Sequence, residues 1–404
     1  MSIFNEIPPT AGLPLSIKEA LPIFYNKTPG RLENDFRRFL EVDYAYITYS
    51  GTAAFYIILQ AIKKISPKKT VIIPSFICPL VPLAIERAGL KTLVCDITKD
   101  SFDFEIKELE EACYKNNDIL AILPTHLAGI AINLDPLMNI AKKNNIFIIE
   151  DCAQSLGAMY KGKRLGTIGD FGFYSLCRGK GITIYEGGAI TAQPKYAKLI
   201  NETANETAKN NYLSESLKLL EILLYWVFYR RELFWFAFRM PQIFWEMQNK
   251  PEKAFIEYFT PNFPVHKISE RRKAVGHMQW ERLEKEISNQ REKAQYYIDH
   301  LGKINGLKII SEPTGTFSNY PYLTLLFDKE VAANKAFNLF NSSGLGVSKI
   351  YLYAITCYKY LNNIYSPGSS LNAQHTAKRH LTLTTSTFLK KNQQDYIINK
   401  IKDL

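Results

Sequence analysis

A series of short apolar runs between residues 45 and 151 constrains the fold more than any other feature of this chain of 404 residues. The runs begin near residues 45, 70, 92, 119 and 146, they are apolar throughout rather than at every second residue, and amphipathic helical stretches separate them. Strands of this kind are typical of a mostly parallel sheet that is covered on both faces. The first half is therefore predicted to be a doubly wound α/β domain, with its ligand site at the carboxyl ends of the strands.

The second half has a different pattern, which predicts a smaller domain. Residues 265–310 include a long amphipathic helix, and the apolar runs after residue 306 alternate with further helical stretches. We divide the chain into a large domain with an N-terminal arm at 1–204, a helical insertion at 205–264 and an α+β C-terminal domain at 265–404. In the last of these, His375 and His380 are expected on a solvated helix face.

The composition excludes several classes of protein. The net charge is +11, but the lysines occur in scattered pairs and no run of five like charges forms a basic arm, so nucleic acid is not expected as a partner. Six cysteines without a CxxC spacing are predicted to be reduced thiols in a cytoplasmic protein, and no metal site is predicted. The first residues contain two prolines and a glutamate, which do not resemble an export signal.

Candidate functional residues occur at three places in the first half. A buried strand ends in Glu150 and Asp151, where a carboxylate needs a cation or a hydrogen-bond donor as its partner. Lys180 lies between two glycines, which let backbone approach a ligand closely, and a buried lysine titrates low and becomes nucleophilic. The turn at residues 50–52 joins a strand to a helix, and amides at such a helix N-terminus can bind phosphate.

Taken in order, six motifs resemble those of one enzyme family. They are SGTAA, IIPSF, THLAG, EDCAQSLGA, GDFGFYSL followed by three residues and a lysine, and EGGAI. This set is similar to that of the DegT/DnrJ/EryC1/StrS sugar aminotransferases, which are fold-type I enzymes dependent on pyridoxal 5′-phosphate (PLP). The resemblance is good over residues 30–200 and looser in the C-terminal domain. It implies a homodimeric aminotransferase of polysaccharide or glycan biosynthesis, which transfers an amino group from a donor such as glutamate to a nucleotide-linked keto-sugar.

The resemblance also implies roles for individual residues. It assigns seven residues to the cofactor site: Gly51, Thr52, Cys78, Asp151, Gln154, Ser175 and Lys180. Two of them are implied to be catalytic: Lys180 would form the Schiff base with the PLP aldehyde, and Asp151 would pair with the pyridine nitrogen. Gln154 would contact the ring hydroxyl, and Ser175 and the 51–52 turn would hold the phosphate. Some relatives carry histidine in place of the lysine and act as dehydratases, so Lys180 favours aminotransfer.

Two departures from the family pattern concern the ring face and the sugar. Cys78 aligns with a position from which an aromatic side chain covers the ring in many relatives. The family's Asn-Tyr-Arg aligns with residues 265–267, where Val265 cannot donate a hydrogen bond to the phosphate and Lys267 lacks the planar fork that suits a diphosphate. Two alternatives therefore stay open: a lipid-linked or other carbonyl acceptor at the membrane surface, and a regulatory or membrane-associated protein without catalysis.

Residues 213–247 form the most unusual segment. Ten of the 24 residues at 222–245 are aromatic, the polar residues fall on one narrow helical stripe, and the longest uninterrupted apolar run has only eight residues. Such a run is too short to span a bilayer. Three interpretations stay open: a helical hairpin packed on the partner subunit or on the chain's own surface, a peripheral membrane segment with Arg230, Arg231 and Arg239 near anionic phosphates, and a wall for an apolar substrate group.

Overall fold

The computed structural model describes residues 5–25, 30–341, 343–366 and 369–404. Its strands are β1 (Ala45–Thr48), β2 (Thr70–Pro74), β3 (Lys91–Cys95), β4 (Ile119–Ile122), β5 (Phe147–Asp151), β6 (Met159–Tyr160), β7 (Lys163–Arg164), β8 (Phe171–Ser175), β9 (Gly188–Ala192), β10 (Leu307–Ile310), β11 (Thr316–Phe317), β12 (Tyr322–Phe327), β13 (Tyr365–Ser366) and β14 (His380–Thr384). Each of the five apolar runs between residues 45 and 151 contains a strand, as the sequence predicts.

The helices of the first half precede, connect or follow the strands of that half. They are α1 (Ile17–Ala20), α2 (Arg31–Leu40), α3 (Gly51–Lys63), α4 (Leu80–Arg87), α5 (Ile106–Lys115), α6 (Leu134–Asn144) and α7 (Ala197–Thr207). Those of the second half are α8 (Tyr212–Phe228), α9 (Phe234–Ala237), α10 (Arg239–Met247), α11 (Pro251–Ala254), α12 (Glu270–His277), α13 (Trp280–Leu301), α14 (Glu330–Phe340), α15 (Leu371–Arg379) and α16 (Lys391–Lys402).

The main sheet has eight strands within the described ranges, in the order β1-β9-β8-β5-β4-β2-β3-β13. Strand β9 runs antiparallel to both of its neighbours, β1 and β8, and the other pairs of this sheet are parallel. Successive residues of β2 belong to different apolar clusters, with Ile72 in one and Val71 and Ile73 in the other. Both faces of the sheet are therefore covered, which explains why its strands are apolar throughout and confirms the predicted α/β fold.

The C-terminal part contributes to all three sheets of the described residues, and its β11 pairs with β6 in a small sheet that also holds β7. Strands β10, β12 and β14 form an antiparallel sheet of their own, whereas β13 pairs in parallel with β3 at the edge of the main sheet. The expectation of a solvated face for His380 is wrong. This residue begins β14 and is buried, its Nδ1 lies 2.9 Å from the carbonyl oxygen of Thr376, and its Nε2 accepts a hydrogen bond from the backbone N–H of Ile350.

The insertion is helical, and its long helix α8 is oriented with its polar side inward. Lys218 forms ion pairs of 2.7 Å with Glu186 and with Glu221, and the hydroxyl of Tyr225 donates to the carbonyl oxygen of Leu13. Helices usually bury their apolar face. Because α8 instead turns its polar side inward, an aliphatic stripe on the opposite side is left exposed. The stripe consists of Leu213, Leu217, Leu220, Leu224 and Val227.

The structure bears on two expectations about the membrane, one for Arg239 and one for a helix that crosses a bilayer. Arg239 is buried and pairs with Glu246, so the expectation that it lies near membrane phosphates is wrong. In the part of the chain that is described, no helix combines the length and the apolar character that a bilayer crossing requires.

Candidate cofactor site

The turn between β1 and α3 presents a helix N-terminus at the carboxyl edge of the main sheet. The side chain of Ser50 caps the helix by accepting a hydrogen bond of 3.0 Å from the backbone N–H of Ala53. Gly188 packs against this turn so closely that an added Cβ would lie 2.4 Å from the carbonyl oxygen of Ser50. A Cβ on Gly51 would contact Ser175 at 3.3 Å, so the turn and the end of β8 meet directly.

The two carboxylates at the end of β5 have different surroundings. Glu150 accepts hydrogen bonds from three backbone N–H groups of the loop at 166–169 and lies 3.3 Å from Nε2 of His126, so it anchors that loop. The carboxylate of Asp151 accepts a hydrogen bond of 3.0 Å from the backbone N–H of Ala153. Burial raises the pKa of Asp151 to about 6, although Lys180 and His126 oppose the shift. A cationic ligand at this carboxylate would favour its ionised form.

The loop that carries Lys180 is held by the N-terminal arm. Gly179 has a φ of 74°, which favours glycine, and an added Cβ on Gly12 would lie 2.4 Å from the Cα of Gly179. Burial lowers the pKa of Lys180, and the charge of Asp151 opposes the shift. An amine with a lowered pKa is more often unprotonated at neutral pH and is then a better nucleophile and base.

Gln154 is held with one end toward the site. Its Oε1 accepts hydrogen bonds from the backbone N–H of Ala128, at 2.8 Å, and from the hydroxyl of Tyr322, at 2.5 Å. Its backbone carbonyl accepts a hydrogen bond of 3.2 Å from the Asn319 side chain. Because Oε1 is already engaged by two donors, the Nε2 amide group is the end that can donate to a ligand.

One cavity of about 600 Å³ brings the predicted residues together. All seven residues that the sequence assigns to a cofactor line it: Gly51, Thr52, Cys78, Asp151, Gln154, Ser175 and Lys180. Its volume is within the range of about 300–1,000 Å³ of small-molecule sites. Burial by the surrounding protein raises the pKa of the Cys78 thiol to about 12. This side chain is therefore a neutral thiol at the cavity wall.

The cavity suits PLP in the chemistry of its donors. A helix N-terminus with a hydroxyl from Ser175 can bind a phosphate, Asp151 can pair with a protonated ring nitrogen, and Lys180 is an amine beside them. The assignment of these individual roles stays a prediction from the resemblance.

Sequence reasoning missed several residues of this cavity. Tyr351 and the segment at 256–264 also line it, and Tyr322 acts on it through Gln154. The segment is anchored by Glu257, which accepts hydrogen bonds from the hydroxyl of Tyr358 and from the backbone N–H of Leu352. Burial raises the pKa of Glu257 to about 7. Their sequence surroundings contain no motif, so no local signal identifies them.

The residues that depart from the family pattern have structural partners here. Val265 is buried in one of the two apolar clusters, and the Nε2 atom of His266 lies 3.3 Å from Nδ2 of Asn211. The backbone N–H of Lys267 donates to the carbonyl oxygen of Lys209, while its side chain is exposed.

Comparison with known proteins agrees with the motifs. The sequence model of the DegT/DnrJ/EryC1/StrS aminotransferase family matches residues 25–220 and 251–402, and it leaves 221–250 unmatched. Among curated proteins, GDP-perosamine synthase of Escherichia coli O157:H7 is 32% identical over 165 residues. This alignment covers 41% of the chain and 44% of that relative, and the next two curated relatives are also covered by less than half.

Solved structures resemble the whole chain. An aminotransferase of the same family from Brucella abortus has a TM-score of 0.72 at 20% identity, with 96% of this chain and 95% of that one covered. A GDP-4-keto-6-deoxy-D-mannose-3-dehydratase from E. coli, with hydrated PLP bound, has a TM-score of 0.75 at 19% identity, with 98% and 100% covered. Because the fold is shared by a transaminase and a dehydratase, the fold alone does not decide the reaction.

Proposed function

Because this chain belongs to the DegT/DnrJ/EryC1/StrS aminotransferase family, we propose that it is a PLP-dependent aminotransferase. The amino donor is glutamate or a similar amino acid, and the acceptor is a keto-sugar used in polysaccharide or glycan biosynthesis. One observation carries the proposal: the seven residues that the motifs assign to the cofactor, lysine included, line a single cavity at the carboxyl edge of the sheet.

The proposal gives each of these residues a task. PLP supplies, when bound, a ring that accepts electrons from a substrate carbon. Asp151 keeps the ring nitrogen protonated, and the turn at residues 51–52 and Ser175 hold the phosphate. Lys180 would hold the cofactor through its aldehyde and, as a free amine, would move a proton to and from the substrate carbon. Its lowered pKa suits the second task because a base must be unprotonated to act.

The first test uses the wild-type protein and needs no acceptor. Purified protein saturated with PLP is expected to show a visible absorbance band, which disappears when glutamate is added and returns with a 2-keto acid. The measurement is stopped-flow absorbance with L-glutamate, with D-glutamate as the control. A protein that binds one PLP per chain and leaves the band unchanged with every amino acid would instead be a regulatory or membrane-associated protein with this fold.

The family resemblance also supports a homodimer in the cytoplasm. The aliphatic stripe of α8 supports an additional contact, with a membrane. We propose that this stripe places the protein on the inner face of a membrane. Leu213, Leu217 and Leu220 are 74%, 52% and 52% exposed, and Phe244 and Met247 of α10 add to the exposed apolar surface. Residues 213–247 contain four basic and four acidic residues. Attraction would therefore depend on burial of apolar side chains more than on charge.

Vesicle flotation tests the membrane contact. The wild type is expected to float with vesicles of equal parts phosphatidylcholine and phosphatidylglycerol, and a variant with Leu213→Ser, Leu217→Ser and Leu220→Ser is expected to stay in the dense fraction. A variant with Tyr114→Ser and Val331→Ser, which changes exposed side chains elsewhere, is the control. Equal flotation of all three proteins would remove the proposal. If the leucine variant floats like the wild type but its dimer sediments differently, the stripe belongs to a contact between two copies of the chain.

A further inference from the structure

A second cavity, of about 470 Å³, lies beside the cofactor cavity and is built largely by the insertion. Two stacked ring pairs line it: Tyr225 with Tyr229, at 4.5 Å between centroids, and Phe234 with Phe238, at 5.1 Å. Leu224, Phe228, Ala237 and Ile256 complete most of this wall. We call this space the aromatic chamber. Its walls suit an apolar chain and offer few polar partners for a nucleobase.

The aromatic chamber adjoins the cofactor cavity. Cys177, Arg178 and Ile256 line both spaces, and Gly179, the residue before Lys180, lines the chamber. The loop that carries the lysine therefore forms part of the wall between them. A ligand that extends from the cofactor cavity past this loop would enter the chamber.

Arg178 places a positive charge at the junction. Its guanidinium lies 5.1 Å from the ring centroid of Tyr185, and its Nη1 donates to the hydroxyl of Tyr185 at 3.3 Å. Within the described ranges, no carboxylate lies in ion-pair distance of Arg178. The guanidinium is a planar donor that can bind a phosphate through two parallel hydrogen bonds.

From the cofactor cavity outward, the amine of Lys180 comes first, the guanidinium of Arg178 second and the aromatic chamber third. We propose, resting on the function proposed above, that the acceptor is a keto-sugar joined through a phosphate to a long hydrocarbon chain. The keto group lies at Lys180, the phosphate at Arg178 and the chain in the aromatic chamber. Position 267 has an arginine in the family pattern, whereas Lys267 is exposed and lines neither cavity, so it supplies no second guanidinium for a nucleotide diphosphate.

The chamber opens where a lipid could enter it. Leu224 lines the chamber and also belongs to the exposed aliphatic stripe of α8, and it is 46% exposed. A chain that leaves a membrane beneath this stripe would pass Leu224 without crossing water. This continuity distinguishes the chamber from a closed packing defect.

The test measures binding to the PLP-loaded protein by isothermal titration calorimetry, with farnesyl phosphate as the probe. Farnesol and GDP are the comparison ligands. Ala237→Trp, which adds a ring at an exposed position that lines the chamber, is the main variant. Val331→Trp is its matched control because it adds the same ring to exposed surface outside both the chamber and the proposed membrane contact. Arg178→Gln removes the charge at the junction.

We expect farnesyl phosphate to bind the wild type and Val331→Trp equally. Ala237→Trp should weaken binding by at least about tenfold because part of the chain is no longer buried. Arg178→Gln should weaken binding of farnesyl phosphate by about tenfold and leave that of farnesol unchanged.

Three results would overturn the proposal. They are absence of farnesyl phosphate binding to the wild type, equal binding to Ala237→Trp, and displacement of farnesyl phosphate by GDP. Loss of PLP affinity in Arg178→Gln with unchanged farnesyl phosphate binding would reassign Arg178 to the cofactor and overturn its assignment to the acceptor. The absorbance response to glutamate needs no acceptor, so it tests the aminotransferase proposal independently. Failure of farnesyl phosphate binding would overturn only the proposal about the acceptor.

Discussion

Replacement of Lys180 by alanine is expected to abolish both the glutamate-dependent change in absorbance and the covalent attachment of PLP. Turnover should fall by at least about a thousandfold, because one side chain supplies the nucleophile that holds the cofactor and the base that moves the proton. The measurement is reduction with borohydride in the presence of PLP, followed by mass spectrometry of peptides. The wild type should carry the added mass on the peptide that contains Lys180, and the variant should carry none there.

A second lysine provides the matched control. Burial also lowers the pKa of Lys293, whose Nζ donates to the carbonyl oxygen of Ser386 outside the cofactor cavity. Lys293→Ala should keep the labelled peptide and the response to glutamate. If Lys180→Ala still responds to glutamate, the assignment of Lys180 is wrong. If both variants lose the response, the effect comes from removal of a buried amine and not from chemistry at Lys180.

The sheet could be predicted because both of its faces are buried. Ile72 packs on one side and Val71 and Ile73 on the other, so the strand is apolar at every position and needs no alternating pattern to be recognised. The edge strand β13 could not be predicted in this way. It has two residues, and its pairing with β3 joins positions that are 273 residues apart at Tyr365 and Thr92.

The cofactor cavity could be predicted in part, for a related reason. The residues at 50–52, at the end of β5 and before β9 lie in motifs, and the carboxyl ends of neighbouring parallel strands must meet at one edge. Tyr322 and Tyr351 reach the same region from the C-terminal half, through a different sheet and a loop. A tyrosine within an apolar run is ordinary in sequence, so only the packing of the two halves identifies these side chains.

The insertion shows where periodicity alone gives the wrong orientation. By the usual rule the polar stripe of α8 would face solvent, but Glu215 pairs with Arg272 and Lys218 pairs with Glu186. These partners lie 57 and 32 residues away along the chain, so no local pattern reveals them. Five aromatic side chains of the insertion then line the aromatic chamber: Tyr225, Phe228, Tyr229, Phe234 and Phe238.

Asp151→Asn is expected to keep PLP bound and to lose most of the activity. The amide carries no charge, so the ring nitrogen loses its anionic partner inside a buried site, and turnover should fall by about a hundredfold to a thousandfold. The spectroscopic sign is independent of turnover. The absorbance of bound PLP should become dependent on pH in the variant, because its ring nitrogen is no longer held protonated by a neighbouring carboxylate.

The neighbouring residue separates this effect from simple loss of stability. Glu150→Gln removes a carboxylate that faces the loop at 166–169 and not the cavity, so it should lower the melting temperature. Its bound cofactor should keep the absorbance of the wild type at each pH, because Asp151 is intact. If the two variants show the same pH dependence, Asp151 acts through the fold and not as the partner of the ring nitrogen. A pH-dependent spectrum in Asp151→Asn alone identifies it as that partner, since the two carboxylates differ by one position on the same strand.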